Sequence, residues 1–128
     1  MSTGISARGQ RGDVEKALLD FGAVVALADA PAEQRAQALF NRAVTWGQRG
    51  NEEQELADYD ALLAMADAPS EQRAQAMVNR GITRGRRGEM EKALADFDAV
   101  IEMKDSPAEQ RAKAMFSRGI TWGLDGEA

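Results

Sequence analysis

The chain repeats itself every 38 residues. Pro31-Ala32-Glu33-Gln34-Arg35-Ala36 returns as Pro69-Ser70-Glu71-Gln72-Arg73-Ala74, and again as Pro107-Ala108-Glu109-Gln110-Arg111-Ala112. Gly12, Gly50, Gly88 and Gly126 keep the same spacing. A fixed period of about 20–50 residues marks a stacked array of small units rather than one closed core. Such arrays work by presenting an extended surface to a partner.

Each unit reads as two helices. In the second copy Ala74, Met77, Val78, Gly81 and Ile82 fall on one stripe of a 3.6-residue period, and Ala112, Met115, Phe116, Gly119 and Ile120 repeat it. The proline before each stripe suits a first helical turn, where its missing N–H costs nothing. Ser106 with Glu109 has the spacing of a capping box, and Asp29 and Asp67 are the cap candidates in the other copies. Gly50 and Gly88 stand where a left-handed residue ends a helix. The second helix carries the stripe Met90, Ala93, Leu94, Phe97, Val100 and Ile101, matched by Val14, Ala17, Leu18, Phe21, Val24 and Val25. No segment sustains the alternation of a strand.

The expected frame is a first-type remnant at 5–11 and a second-type helix at about 13–29. Helix pairs follow at about 31–49 with 51–67 and at about 69–87 with 89–104, and then a first-type helix at about 107–124. One array therefore spans 1–128, with a partial repeat at 5–30, repeats at about 31–68 and 69–106, and a partial repeat at 107–128. Its ends are expected to fall within repeats.

Composition narrows the function. The 128 residues are 44% apolar and 29% charged, which suits a folded chain. A net charge of −5 argues against a general nucleic-acid binder, which needs a basic face. There is no Cys and no His, so thiol nucleophiles, imidazole bases and the commonest zinc ligands are missing. No run approaches the ~18 apolar residues of a membrane helix, and the first residues lack the apolar stretch of a signal peptide. The expectation is a cytoplasmic protein with no membrane partner. Gly85-Arg86-Arg87-Gly88 lacks the pattern of a phosphate-binding loop, and repeated acidic pairs define no single acid–base site. No enzyme activity, metal or cofactor is expected.

The segment Ala76-Met77-Val78-Asn79-Arg80-Gly81-Ile82, followed by Gly88, Ala93, Leu94, Phe97 and Pro107, resembles the tetratricopeptide repeat. Asn79-Arg80-Gly81 with Ala95-Asp96-Phe97-Asp98 is similar to a common form of that family, and Asn41-Arg42-Ala43 and Ser117-Arg118-Gly119 match it less fully. The resemblance covers the chain from about residue 5 onward. It implies an all-α, right-handed superhelical solenoid of antiparallel helix pairs, whose first helices line a concave face that binds peptides. The family's usual period is shorter by about one helical turn of 3.6 residues, which places the Pro-Ala-Glu-Gln segment as an added turn on the first helix. Glu55 stands where Ala17 and Ala93 supply a small residue, so it either splays the helices or marks a site. Leu62 and Val100 stand where the family often has alanine, which would widen the helix spacing.

Arg42, Arg80 and Arg118 recur beside the core stripe, and Asp58/Asp60 and Asp96/Asp98 recur on the second helix. They read either as a ladder gripping a ligand or as an internal salt-bridge ladder, with the internal ladder preferred. Trp46 and Trp122 read either as a binding platform or, preferably, as filling between paired helices, with Arg84 snorkelling in the middle copy. The face expected to bind a partner carries Gln37, Phe40, Asn41, Val44 and Gln48, then Gln75, Val78, Asn79, Ile82 and Arg86, then Lys113, Phe116, Ser117, Ile120 and Leu124. The resemblance suggests backbone-holding roles for Asn41 and Asn79. The family's carboxylate clamp needs more cations than Lys113 and Arg86, and Phe40 and Phe116 occupy basic positions, so an apolar, mildly polar groove is expected.

The function that follows is a protein–protein interaction scaffold, holding a peptide or partner helix in the groove. The alternative is a self-associating array, a dimer or an end-to-end homo-oligomer joined through exposed terminal helices. About 22 of 38 positions are identical between the copies starting at Gly47 and Gly85, which fits recent duplication and equally an excised or engineered fragment.

Overall fold

A computed structural model describes the backbone of residues 7–127 and the side chains of residues 12–124. Six helices follow one another: α1 (Ala7–Ala26), α2 (Ala32–Gln48), α3 (Glu52–Ala64), α4 (Ser70–Arg86), α5 (Met90–Glu102) and α6 (Ala108–Glu127). The described residues contain no strand. First-type helices α2 and α4 have 17 residues each, and second-type helices α3 and α5 have 13. The difference is about one turn of 3.6 residues.

The glycine turns form as the spacing predicts. Gly50 and Gly88 take φ of 80° and 83°, which only glycine adopts without a Cβ penalty. The N–H of Asn51 reaches the carbonyl of Trp46 at 2.9 Å and that of Gly50 reaches Gly47 at 3.0 Å, a Schellman pair. Glu89 to Arg84 and Gly88 to Gly85 repeat it at 2.9 and 3.0 Å. Asn51 then caps α3 by accepting from the Gln54 N–H at 3.2 Å.

Three local expectations fail. Pro31 and Pro69 stand at the N-cap, with extended ψ of 145° and 149°, rather than inside the first turn. Their carbonyls accept the first helical bonds, from Arg35 and Arg73, at 3.0 Å. No side chain caps α2 or α4, so Asp29 and Asp67 do not act as caps, and the buried Ser106 hydroxyl has no partner, so the capping box is absent. Finally, α1 runs unbroken through Gly12 and α6 through Gly126. A break at Gly12 would free helical hydrogen bonds. Residues 5, 6 and 128, which the expected partial repeats include, lie outside the described residues.

Each first-type helix packs on the second-type helix after it, α2 on α3 and α4 on α5, and also on the one before it. Helix α2 touches α4 and α4 touches α6, whereas among the described residues α1, α3 and α5 do not touch one another. Helices α2, α4 and α6 therefore form one contiguous layer, with α1, α3 and α5 spaced along its back.

Two buried clusters fill the space between. One joins Ala36, Leu39 and Ala43 of α2 to Tyr59 and Leu62 of α3, and takes in Ala76 from α4. The other joins Ala74 and Val78 of α4 to Ala93, Phe97 and Val100 of α5, and takes in Ala114 from α6. A first-type helix thus buries two lines rather than one stripe. In α4, Ala74, Val78 and Gly81 face forward, while Gln72, Ala76 and Thr83 complete a second line. Among the described side chains of α6 only the counterparts of that second line, Gln110, Ala114 and Thr121, are buried. The expected stripe of Ala112, Met115, Phe116, Gly119 and Ile120 is exposed there, since no described helix covers it.

Candidate functional site

The recurring arginines and aspartates form an internal lattice. Arg42 forks onto Asp58, with Nε and Nη2 at 2.8 and 2.9 Å from its oxygens. Arg80 forks onto Asp96 at 3.0 and 2.7 Å and reaches back to Asp60 at 2.8 Å. Arg118 reaches back to Asp98 at 2.8 Å. Hydrogen bonding to Asp58 raises the Arg42 pKa above its ordinary value. Burial opposes the charge on Arg80 most strongly, but its bonds to Asp96 and Asp60 outweigh that, and its pKa also rises. Planar forks of this kind fix the register of neighbouring helices. They also take these charges out of the partner-binding inventory.

Arg84 does not snorkel: its Nη1 donates to Asp96 at 3.0 Å. Its counterpart Trp46 is half-buried, but Trp122 is 56% exposed and fills no core. Position 84 reaches forward to α5, and no described helix follows α6 to receive Trp122. A second arginine role was not legible in the sequence. Arg35 donates to the Ala30 carbonyl at 2.9 Å, and Arg73 to the carbonyls of Leu63 and Met65 at 3.3 and 2.9 Å. Each closes the C-terminal end of the preceding segment, where carbonyls lack helical partners.

The residues expected to meet a partner fall into three groups. Val44, Gln48, Asn79, Ile82 and Arg86 line a cavity of about 300 Å³ between α2, α3 and α4. Ile82 and Arg86, with Phe116, Ser117, Ile120 and Leu124, line an adjoining apolar cavity of about 350 Å³ between α4, α5 and α6. The remaining six line neither. Val78 is 1% exposed and belongs to the core, which corrects its placement on the surface. Phe40 packs partly against the first cluster, its ring centroid 6.1 Å from that of Tyr59. Gln37 donates to Asn41 at 3.1 Å and accepts from Gln72 at 2.9 Å, tying α2 to α4. Gln75 is half-buried, and Lys113 pairs with Glu109 at 3.7 Å on the exposed side of α6.

Glu55 gives the first cavity its chemistry. It is 5% exposed and does not splay the helices, because Gly47 leaves room for it. Its Oε2 accepts from the Tyr59 hydroxyl at 3.3 Å and from the Thr83 hydroxyl at 3.1 Å. Its Oε1 is buried and has no partner. Asn79 Nδ2 donates to the Tyr59 oxygen at 3.3 Å, and Arg86 Nη2 to the Thr83 oxygen at 3.3 Å. Burial, chiefly, pushes the Tyr59 hydroxyl well above its ordinary pKa, so it stays a donor. Sequence reasoning singled out Glu55 but missed Gly47, Tyr59 and Thr83. One signal was available: Tyr59 replaces the Phe97 of the next copy one helical turn after Glu55, where a hydroxyl can reach the carboxylate.

Among the described residues no group of three or more acidic, Cys or His side chains is placed to hold a metal ion. No described helix is long and apolar enough to cross a membrane. No protein-family model, no curated protein and no solved structure matches the chain.

Proposed function

We propose that the chain is a non-enzymatic protein-interaction scaffold of tetratricopeptide type that holds an extended peptide or partner helix along α2, α4 and α6. On this reading the helix pairs stack as a right-handed solenoid, with α2, α4 and α6 on its concave side. The observation that carries the reading is the pair of adjoining cavities of about 300 and 350 Å³, which share Ile82 and Arg86 on α4. Together they supply apolar walls with a few polar groups, the usual make-up of a recognition site. The resemblance of Asn79-Arg80-Gly81 and Ala95-Asp96-Phe97-Asp98 to the repeat family points the same way.

The test is selection of binders from a random dodecapeptide library, followed by affinity measurement on Ile82→Glu/Phe116→Glu. Ile82 is 39% and Phe116 72% exposed, so helicity should persist while affinity falls by at least about tenfold. Wild-type affinity in the double variant would remove the groove.

A second reading is favoured by one feature. Met115, Phe116, Ile120, Trp122 and Leu124, all on α6, are each at least half exposed. A patch of this kind promotes association. Light scattering over a concentration series separates the two readings, since a fixed monomer is expected of a pure scaffold and growth in mass of a self-associating array.

A further inference from the structure

The Glu55 carboxyl group is buried and only partly hydrogen-bonded. Among the described residues no Lys or Arg forms an ion pair with it, and one of its oxygens has no hydrogen-bond partner at all. The corresponding positions in the other copies hold Ala17 and Ala93, so the repeat architecture does not require an acid here. Removing a carboxylate from water without pairing it is costly, so a ligand that supplies an opposite charge and a donor is favoured there. The carboxylate lies in the wall of the cavity whose other walls are Val44 and Ile82, with the amides of Gln48 and Asn79 beside it.

We propose that this cavity is a binding site for a lysyl ammonium group, with Oε1 of Glu55, which its neighbours cover in this structure, turning toward the cavity to act as the anionic acceptor. The proposal rests on the groove reading, in which the lysine belongs to a bound peptide. The choice of lysine follows from the hydrogen bonds already made. Oε2 is committed to the hydroxyls of Tyr59 and Thr83, so one oxygen is left. A guanidinium fork seeks both oxygens of a carboxylate, whereas an ammonium ion is a point charge satisfied by one. Its remaining N–H groups find acceptors in the amide oxygens of Asn79 and Gln48, since Asn79 commits its nitrogen to Tyr59. Val44 and Ile82 suit the aliphatic stem of a lysine. Arg86 stands at the rim, donating to Thr83, and its positive charge opposes the ligand.

Two measurements test this. In the first, the intact chain is titrated with Nα-acetyl-lysine N-methylamide while the amide resonances of Gly47 and Thr83 are followed. Saturable shifts are expected, with the Nε-acetyl-lysine and arginine analogues weaker by at least about tenfold. Glu55→Gln keeps the shape and should lose the response, and Arg86→Gln should bind more tightly. Equal shifts from the Nε-acetyl analogue, or unchanged binding by Glu55→Gln, would overturn the proposal. Binding that appears only in Arg86→Gln would also overturn it, in favour of an internal Arg86–Glu55 pair. The second measurement compares peptides selected by the wild type and by Glu55→Gln. A lysine at a fixed place should be enriched by the wild type alone. Peptides enriched without that lysine would leave the groove standing and remove the ammonium site. Lysine-amide binding without any selected peptide would keep the site and remove the groove.

Discussion

Gly47 and Glu55 fit one another as a pair. A β-carbon on Gly47 would stand 2.8 Å from the Glu55 carboxyl carbon and 2.9 Å from each of its oxygens. The absent side chain is therefore what lets a carboxylate lie between α2 and α3. In the next copy the corresponding pair is Gly85 and Ala93, where the same added carbon meets only a methyl group at 3.8 Å.

Gly47→Ala is expected to destabilise the chain by ~1–3 kcal/mol through overpacking against Glu55. In a Glu55→Ala background the sign should reverse, because alanine in a helix is favoured over glycine by ~0.5–1 kcal/mol. Urea melts of the four proteins in this cycle give the coupling, and additivity of the two changes would refute the contact.

The same repeat position has opposite consequences in two copies. An alanine at Gly81 would place its methyl 2.6 Å from the ring of Phe97, which is 1% exposed and cannot yield. A loss of ~1–3 kcal/mol follows. At Gly119 an added carbon meets nothing within 4 Å, so Gly119→Ala should gain ~0.5–1 kcal/mol. Denaturation midpoints of the two variants, shifting in opposite directions, check this.

Asp96 and Asp60 both receive Arg80, yet their worth differs. The Asp96 side chain is 5% exposed and also takes Arg84, whereas Asp60 is 57% exposed. Asp96→Ala leaves Arg84 without its carboxylate and Arg80 with only the exposed Asp60, and should cost ~3 kcal/mol or more. Asp60→Ala removes a solvent-screened pair and should cost under ~1 kcal/mol. Equal losses on thermal unfolding would contradict the burial difference.

Tyr59 is the chain's single tyrosine, so its ionisation is read without overlap. Burial raises its folded-state pKa above the ordinary value, so above about pH 10 the unfolded chain releases a proton that the folded one retains. Its neutral form is then held at the expense of stability, which should fall as pH rises from about 10 through the folded value. Absorbance of the phenolate should appear only beyond the ordinary range and coincide with unfolding. Tyr59→Phe should lose less stability over the same interval. A wild-type titration at the ordinary value in the folded chain would refute the buried placement.

Much of the fold was legible because it depends on short-range rules. Gly50 and Gly88 end helices because only glycine takes a positive φ cheaply, and that is a property of one residue. The stripe from Met90 to Ile101 marks a helix face because the period alone sets which side chains share it. The Arg80–Asp96 fork was anticipated from recurrence at fixed spacing. The partner face was harder to read. A single stripe suggested that Val78 and Ile82 share an environment, yet Val78 is core and Ile82 is at the groove. Helix α4 has four neighbours, α2, α3, α5 and α6, and a 3.6-residue period does not say how its circumference is divided among them.

The amino-acid sequence by itself determined the repeat, the order of helices, the glycine turns and the arginine–aspartate register. Each is fixed by local backbone preference or by a spacing repeated in every copy. Only the tertiary structure decided that Gly12 forms no turn, that the α6 stripe lies open, and that Glu55 keeps a free oxygen beside a cavity. Those outcomes depend on which helices are present to cover a surface, and on distances such as that between Gly47 and Glu55, across two helices. Burial is a property of the assembled neighbours, so no single segment of the chain carries it.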